Sequence, residues 1–170
     1  MNLKEEILQE HSKEQAVRIA SFCAESQQQF DALVPLFLEG DYRITQRASW
    51  SLSAAARLRP ELLKKHFTML ATLLDKDELH DAVKRNVLKI FSELPFPKRL
   101  HGKILSRCFE LVEDFKSPIA VKAYALITLE KMTAFYPQII PELKLLVSER
   151  AIQESAAFNA RAKRIMKLKG

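Results

Sequence analysis

The stretch Asp41 to Ala56, DYRITQRASWSLSAAA, returns three times along the chain. Glu78 to Leu94 reads ELHDAVKRNVLKIFSEL, Ser117 to Met132 reads SPIAVKAYALITLEKM, and Ser155 to Lys169 reads SAAFNARAKRIMKLK. Setting Arg47 opposite Arg85, Ala123 and Arg161 gives a spacing of 38 residues each time. A fixed period of this size, carried by two helical patterns, restricts the chain to a stack of helical hairpins, because no one hairpin can cover its own apolar side without the next. The expectation is an all-α fold, a right-handed α-solenoid of about four helix pairs preceded by short N-terminal helices. Rows through the copies keep their character: Ile44, Ala82, Ala120 and Phe158 form one, and Ala48, Asn86, Tyr124 and Ala162 another. Trp50, Leu88 and Leu126 share a third row, which Arg164 breaks, as suits a terminal repeat whose outer face meets water.

Three of the intervening helical patterns follow a proline, at Pro60, Pro97 and Pro137. Proline suits the first helical turn, where its missing N–H would have no partner and its fixed φ is already helical. Apolar residues then come at helical spacing: Leu63, Phe67, Leu70 and Leu74 after Pro60, and Leu100, Ile104, Cys108 and Leu111 after Pro97.

With these residues in hand, the chain from about Ser26 to Gly170 resembles HEAT repeats. In that family an apolar helix leads through a tight turn with Asp into a second helix, with a basic residue six positions after the Asp. Asp41 and Arg47 in LFLEGDYRITQRASWSL match this pattern. Later copies depart from it: the Asp position holds Leu79, Ser117 and Ser155, and the basic position holds Arg85, Ala123 beside Lys122, and Arg161. The resemblance implies one HEAT-like domain over residues 1–170, with N-terminal capping helices in 1–25 and repeats in 26–170. It also implies that the second helix of each pair lines a concave groove.

Glycine occurs only three times and no Pro/Gly/Ser stretch marks a linker, so the sequence suggests no internal boundary. There is no sustained period-2 alternation to signal a strand. Net charge is +6, yet Ser155 to Gly170 holds five bases and no acid, and the rest of the chain is nearly balanced at 22 bases against 21 acids. The basic character is therefore local, which weakens any reading of the whole surface as a polyanion site. Cys23 and Cys108 sit in apolar helical patterns and read as buried free thiols, neither disulfide nor metal site. MNLKEEILQE lacks the apolar stretch of a signal peptide, and no run is long enough to span a bilayer, so the expected compartment is the cytoplasm.

At the N-terminus, Leu3, Ile7 and Leu8 predict a short amphipathic lid helix. Ser12 with Gln15, and Ser26 with Gln29, have capping-box spacing. Arg18 sits in the basic position of a degenerate first copy. Pro35 falls inside a helix and predicts a bend there, and Gly40-Asp41 supplies the following turn. Asp75 to His80 reads as a polar turn, Ser117 as an N-cap with Pro118 in the first turn, and Glu149 to Glu154 as a loop or frayed end. Pro141 either kinks its helix or starts it.

A residue recurring once per repeat becomes a ladder along the inner face. The candidates are Arg47, Lys84, Arg85, Lys122 and Arg161, whose cationic heads suit carboxylates or phosphates. The competing reading is structural, in which such a base pairs with the turn aspartate or caps a neighbouring turn's carbonyls. That reading is strongest at Arg47, where Asp41 is present. Trp50, one turn past Arg47, is either an anchor on the inner face or core, as Leu88 and Leu126 in its row argue. The final helix, with Arg161 and Arg164, either grips an acidic partner or is a solvated cap. The four histidines are scattered, without HExxH, CxxC or GxSxG, and three glycines cannot build a phosphate loop.

The residues thus point to a non-catalytic scaffold, expected to be monomeric and without a cofactor, that offers a partly basic groove to a protein or peptide, including an acidic one, and does not enter membranes. The alternative is nucleic-acid binding, in distant similarity to HEAT-like alkylpurine DNA glycosylases. Only Trp50 and Asp81 are available for such a role, in different repeats, and that family's tryptophan-rich pattern is missing. Nothing in the residues supports another enzyme class, such as the HEAT-like bilin lyases.

Overall fold

The computed structural model describes residues 1–39 and 41–170, with Glu39 by its backbone alone. The expected turn residue Gly40 lies outside the described residues. The described elements are ten α-helices joined by loops and 3₁₀ turns, with no strand among them, so the fold is all-α as the 38-residue period requires. The chain divides into two compact units, Met1–Ile90 with Leu94–Phe96, and Phe91–Glu93 with Pro97–Gly170.

The first unit contains α1 (Leu3–Gln9), α2 (Lys13–Cys23), α3 (Gln27–Glu39), α4 (Tyr42–Leu58), α5 (Phe67–Leu73) and most of α6 (Asp81–Glu93). Starts are set by side-chain caps: Ser12 Oγ accepts from Gln15 N at 3.1 Å, Ser26 Oγ from Gln29 N at 3.2 Å, and Asp41 Oδ1 from Ile44 N at 3.0 Å. Helix α4 packs against α1, α2 and α3, so it has neighbours on several sides. That is why it carries small buried residues, Ala48, Ser49, Ser51, Ser53, Ala55 and Ala56, where a half-exposed helix would carry one apolar stripe. Phe30, Leu33 and Phe37 of α3 fill the space against it. In α1 Leu3 and Ile7 are buried, whereas Leu8, expected on the same apolar side, is exposed.

The second unit contains α7 (His101–Glu113), α8 (Ile119–Met132), α9 (Ile140–Arg150) and α10 (Ala156–Met166). Helix α8 packs against both α7 and α10, and its apolar residues accordingly run round the helix rather than along one face. Thr128 is fully buried there because its hydroxyl donates to Tyr124 O at 2.9 Å.

Several boundaries differ from expectation for local reasons. The segments after Pro60 and Pro137 open as 3₁₀ turns (Pro60–His66 and Pro137–Ile139) before becoming α-helical, and Pro97 precedes a similar turn at Lys98–Leu100. Pro118, not Ser117, is the N-cap of α8; Ser117 is buried and its hydroxyl lies toward Asp114. Pro141 falls in the first turn of α9, which therefore starts there rather than kinking. Helix α3 continues through Pro35. Glu149 to Glu154 is no frayed end: α9 runs to Arg150, a 3₁₀ turn covers Ala151–Gln153, and the Glu154 side chain is buried.

Candidate binding surfaces

The four equivalent positions at 38-residue spacing do not share one role. Arg47 on α4 reaches the end of α1, where its Nη1 donates to Ile7 O at 3.1 Å and Leu8 O at 3.0 Å. A guanidinium there satisfies carbonyls that a helix terminus leaves without partners and opposes the negative end of its dipole. Asp41, the acid expected to pair with it, instead caps its own helix through Ile44 N. Trp50, one turn further, is half-buried and meets the His11 ring edge-on at 5.7 Å between centroids. Trp50 and Arg47 border a cavity of about 10 Å³, enough for a single water.

In the second unit Lys122 is buried, and its Nζ donates to Glu154 Oε1 at 2.6 Å. Arg150, also buried, stands 3.4 Å from the same carboxylate oxygen and lies under the Phe115 ring, 3.4 Å from its centroid. Arg161 Nη1 donates to Glu130 Oε2 at 2.6 Å, and Arg164 Nε to Glu130 Oε1 at 3.2 Å. Glu130 thus bridges the two arginines of α10, though the Arg164 side chain remains 68% exposed. Lys122 therefore does not stand on an open basic ladder, and Arg161 is partly neutralised.

Lys84 and Arg85 on α6 differ from the rest. Both are half-buried, and among the described residues neither side chain has a hydrogen-bond or ion-pair partner. One turn before Lys84 stands His80, the N-cap of α6, whose Nδ1 accepts from Ala82 N at 3.1 Å. Its ring lies against Tyr42, centroids 4.4 Å apart. Tyr42, Thr45, Lys76, Leu79, His80 and Val83 border an open cleft of about 340 Å³. Two cations with no partner among the described residues, a tilted pair of contacting rings and a cleft thus occupy neighbouring positions along one stretch of the first unit.

Among the described residues, no group of three or more His, Cys, Asp or Glu is arranged to hold a metal ion, and no helix is long and apolar enough to cross a membrane. Both cysteines are free and buried, and burial pushes each thiol up to about 12. A family model described as HEAT repeat domain matches residues 3–169. The chain belongs to the HEAT repeat family. HEAT repeats generally serve as protein-interaction scaffolds. No curated protein and no solved structure matches the chain.

Within this HEAT chain, contacts one repeat apart are made largely by residues the sequence pattern does not single out. Asn86 Nδ2 donates to Ser49 Oγ at 2.8 Å and to Ala82 O at 2.7 Å. Gln27 Nε2 donates to Leu62 O at 3.0 Å, Arg59 to Ala24 O at 3.3 Å, and His101 Nδ1 meets Tyr136 Oη at 3.0 Å. Asp31 accepts from Gln27 and Lys65 and contacts His66 Nε2 at 2.7 Å. Apart from the local bonds Asn86–Ala82 and Gln27–Asp31, these pairs are 34 to 37 positions apart, and Arg47–Ile7 and Arg161–Glu130 are 40 and 31 apart. That regularity, rather than residue type, is the signal by which Glu130 and Glu154 were open to discovery.

Proposed function

We propose that this HEAT repeat chain is a non-catalytic binding scaffold that holds a protein or peptide on the exposed sides of its second helices, with Lys84 and Arg85 of α6 as the main contacts for an acidic segment. The observation that carries the reading is the contrast at the repeated basic position. Arg47, Lys122 and Arg161 are engaged within the fold, whereas Lys84 and Arg85 have no described partner. An unpaired guanidinium offers forked donors to a carboxylate without first breaking an internal bond. The adjoining cleft with Tyr42 and His80 supplies the apolar and aromatic surface that a peptide contact needs beside charge. Nucleic-acid binding has less support, since neutralisation within the fold leaves fewer cations for phosphate neutralisation.

Affinity capture with the wild-type chain and with a Lys84→Glu/Arg85→Glu variant tests this reading. The expected result is a protein enriched reproducibly on the wild type and lost on the variant, with helical content unchanged. Identical capture by both, or enrichment of nothing, overturns it.

A further inference from the structure

We propose that the groove between α9 and α10 is a docking site for an acidic amphipathic helix of a partner protein. The groove measures about 440 Å³, and its apolar floor is formed by Val147, Ala151, Ala162 and Met166. The two alanines leave room for a helix to approach closely, and Met166, half exposed, is a deformable apolar surface suited to receiving side chains. Apolar surface continues along α9: Leu145 is 59% exposed and Ile152 93% exposed. Leu145 lies three before Ser148, a groove residue, and so on its side of α9, while Ile152 stands in the 3₁₀ turn Ala151–Gln153 that follows the helix, next to the groove residue Ala151. From Asn159 to Lys167 the lined part of α10 extends roughly 12 Å, about two helical turns.

Charge identifies the occupant. Lys163 and Lys167 border the groove one turn apart on α10, and Ser155 to Gly170 contains no acid. On the α9 side the nearby acid is Glu149, between Leu145 and Ile152. An apolar floor with two lysines along one edge complements a helix whose apolar residues recur at i, i+3, i+4 and i+7 and whose flank toward α10 is acidic. A basic residue on its other flank would meet Glu149. This site lies in the second unit and does not use Lys84 or Arg85, so it goes beyond the scaffold reading above.

The test is fluorescence anisotropy with the full chain and a labelled helical peptide of roughly 16 residues, with leucines at that spacing and glutamates between them. Controls are a scrambled peptide of the same composition and a lysine-for-glutamate peptide. Saturable binding is expected, weaker by roughly tenfold or more for both controls and for Met166→Asp. Lys163→Glu/Lys167→Glu should reverse the preference toward the lysine peptide. Ile152→Asp, at an almost fully exposed position, should also weaken binding and serves if Met166→Asp perturbs folding. Lys84→Glu/Arg85→Glu should leave the affinity unchanged, which separates this site from the α6 surface. Equal binding of the scrambled peptide, or unchanged affinity in both groove variants, overturns the proposal. So does self-association of the chain that Met166→Asp abolishes, because the occupant is then a second copy.

Discussion

Lys122 Nζ lies 2.6 Å from Glu154 Oε1, and both side chains are almost fully buried although 32 positions separate them. Arg150 shares the carboxylate, so one acid compensates two buried cations. Removing it leaves both uncompensated. Glu154→Ala is expected to cost about 3–5 kcal/mol, read as a drop in the urea midpoint, whereas removing an exposed acid such as Glu149 should change stability little.

Asn86 is buried between Ser49 and Ala82 O, and ties α6 to α4. Asn86→Ala removes both bonds and is expected to cost about 1–2 kcal/mol. Thermal unfolding of the variant beside Ser49→Ala checks this: non-additivity in the double variant shows the coupling, and strict additivity denies it.

The two thiols make stability depend on pH at the alkaline end. Exposed in the unfolded chain, they ionise near 9.0, whereas the buried groups hold their protons until about 12. Above pH 9 the unfolded state therefore binds fewer protons, and stability falls with a slope of up to about 1.4 kcal/mol per pH unit for each cysteine. Cys23→Ala/Cys108→Ala should flatten that slope. In the native chain at pH 8 neither thiol should react with a disulfide reagent until urea unfolds the protein.

Asp31 gives the opposite dependence. Burial acts to raise its carboxyl, but hydrogen bonds from Lys65, Gln27 and His66 outweigh this and hold it below the usual 3.8. The stability it contributes is complete above that value and is lost as pH falls through the lowered one. Asp31→Asn should cost about 0.5–1 kcal/mol at neutral pH and remove that part of the acid sensitivity, as acid titration of the unfolding midpoint would show.

The architecture was legible in the sequence because it rests on periodicity. Burial at Ile44, Ala48, Leu88, Leu126 and Phe158 follows from rows 38 residues apart, and the prolines before the intervening helices mark their starts. The carbonyl-capping role of Arg47 was among the sequence's readings, but the acid partners of Lys122 and Arg161 were not legible. Asp41, the turn acid six positions before Arg47, satisfies its own helix N-terminus instead of the guanidinium. The acids that do pair, Glu130 and Glu154, lie about one repeat away from Arg161 and Lys122, where no local pattern marks them. Ser117 failed as an N-cap by one residue, within the usual uncertainty of helix ends.

Urea midpoints of Arg47→Ala, Arg85→Ala and Arg161→Ala, three positions of one repeat register, test most directly whether that register is structural except where α6 leaves it unpaired. Arg47→Ala strands two helix-end carbonyls and should cost about 1–3 kcal/mol, Arg161→Ala about 1 kcal/mol, and Arg85→Ala no more than about 0.5 kcal/mol. A loss at Arg85 equal to that at Arg47, or no loss at any of the three, would contradict the account.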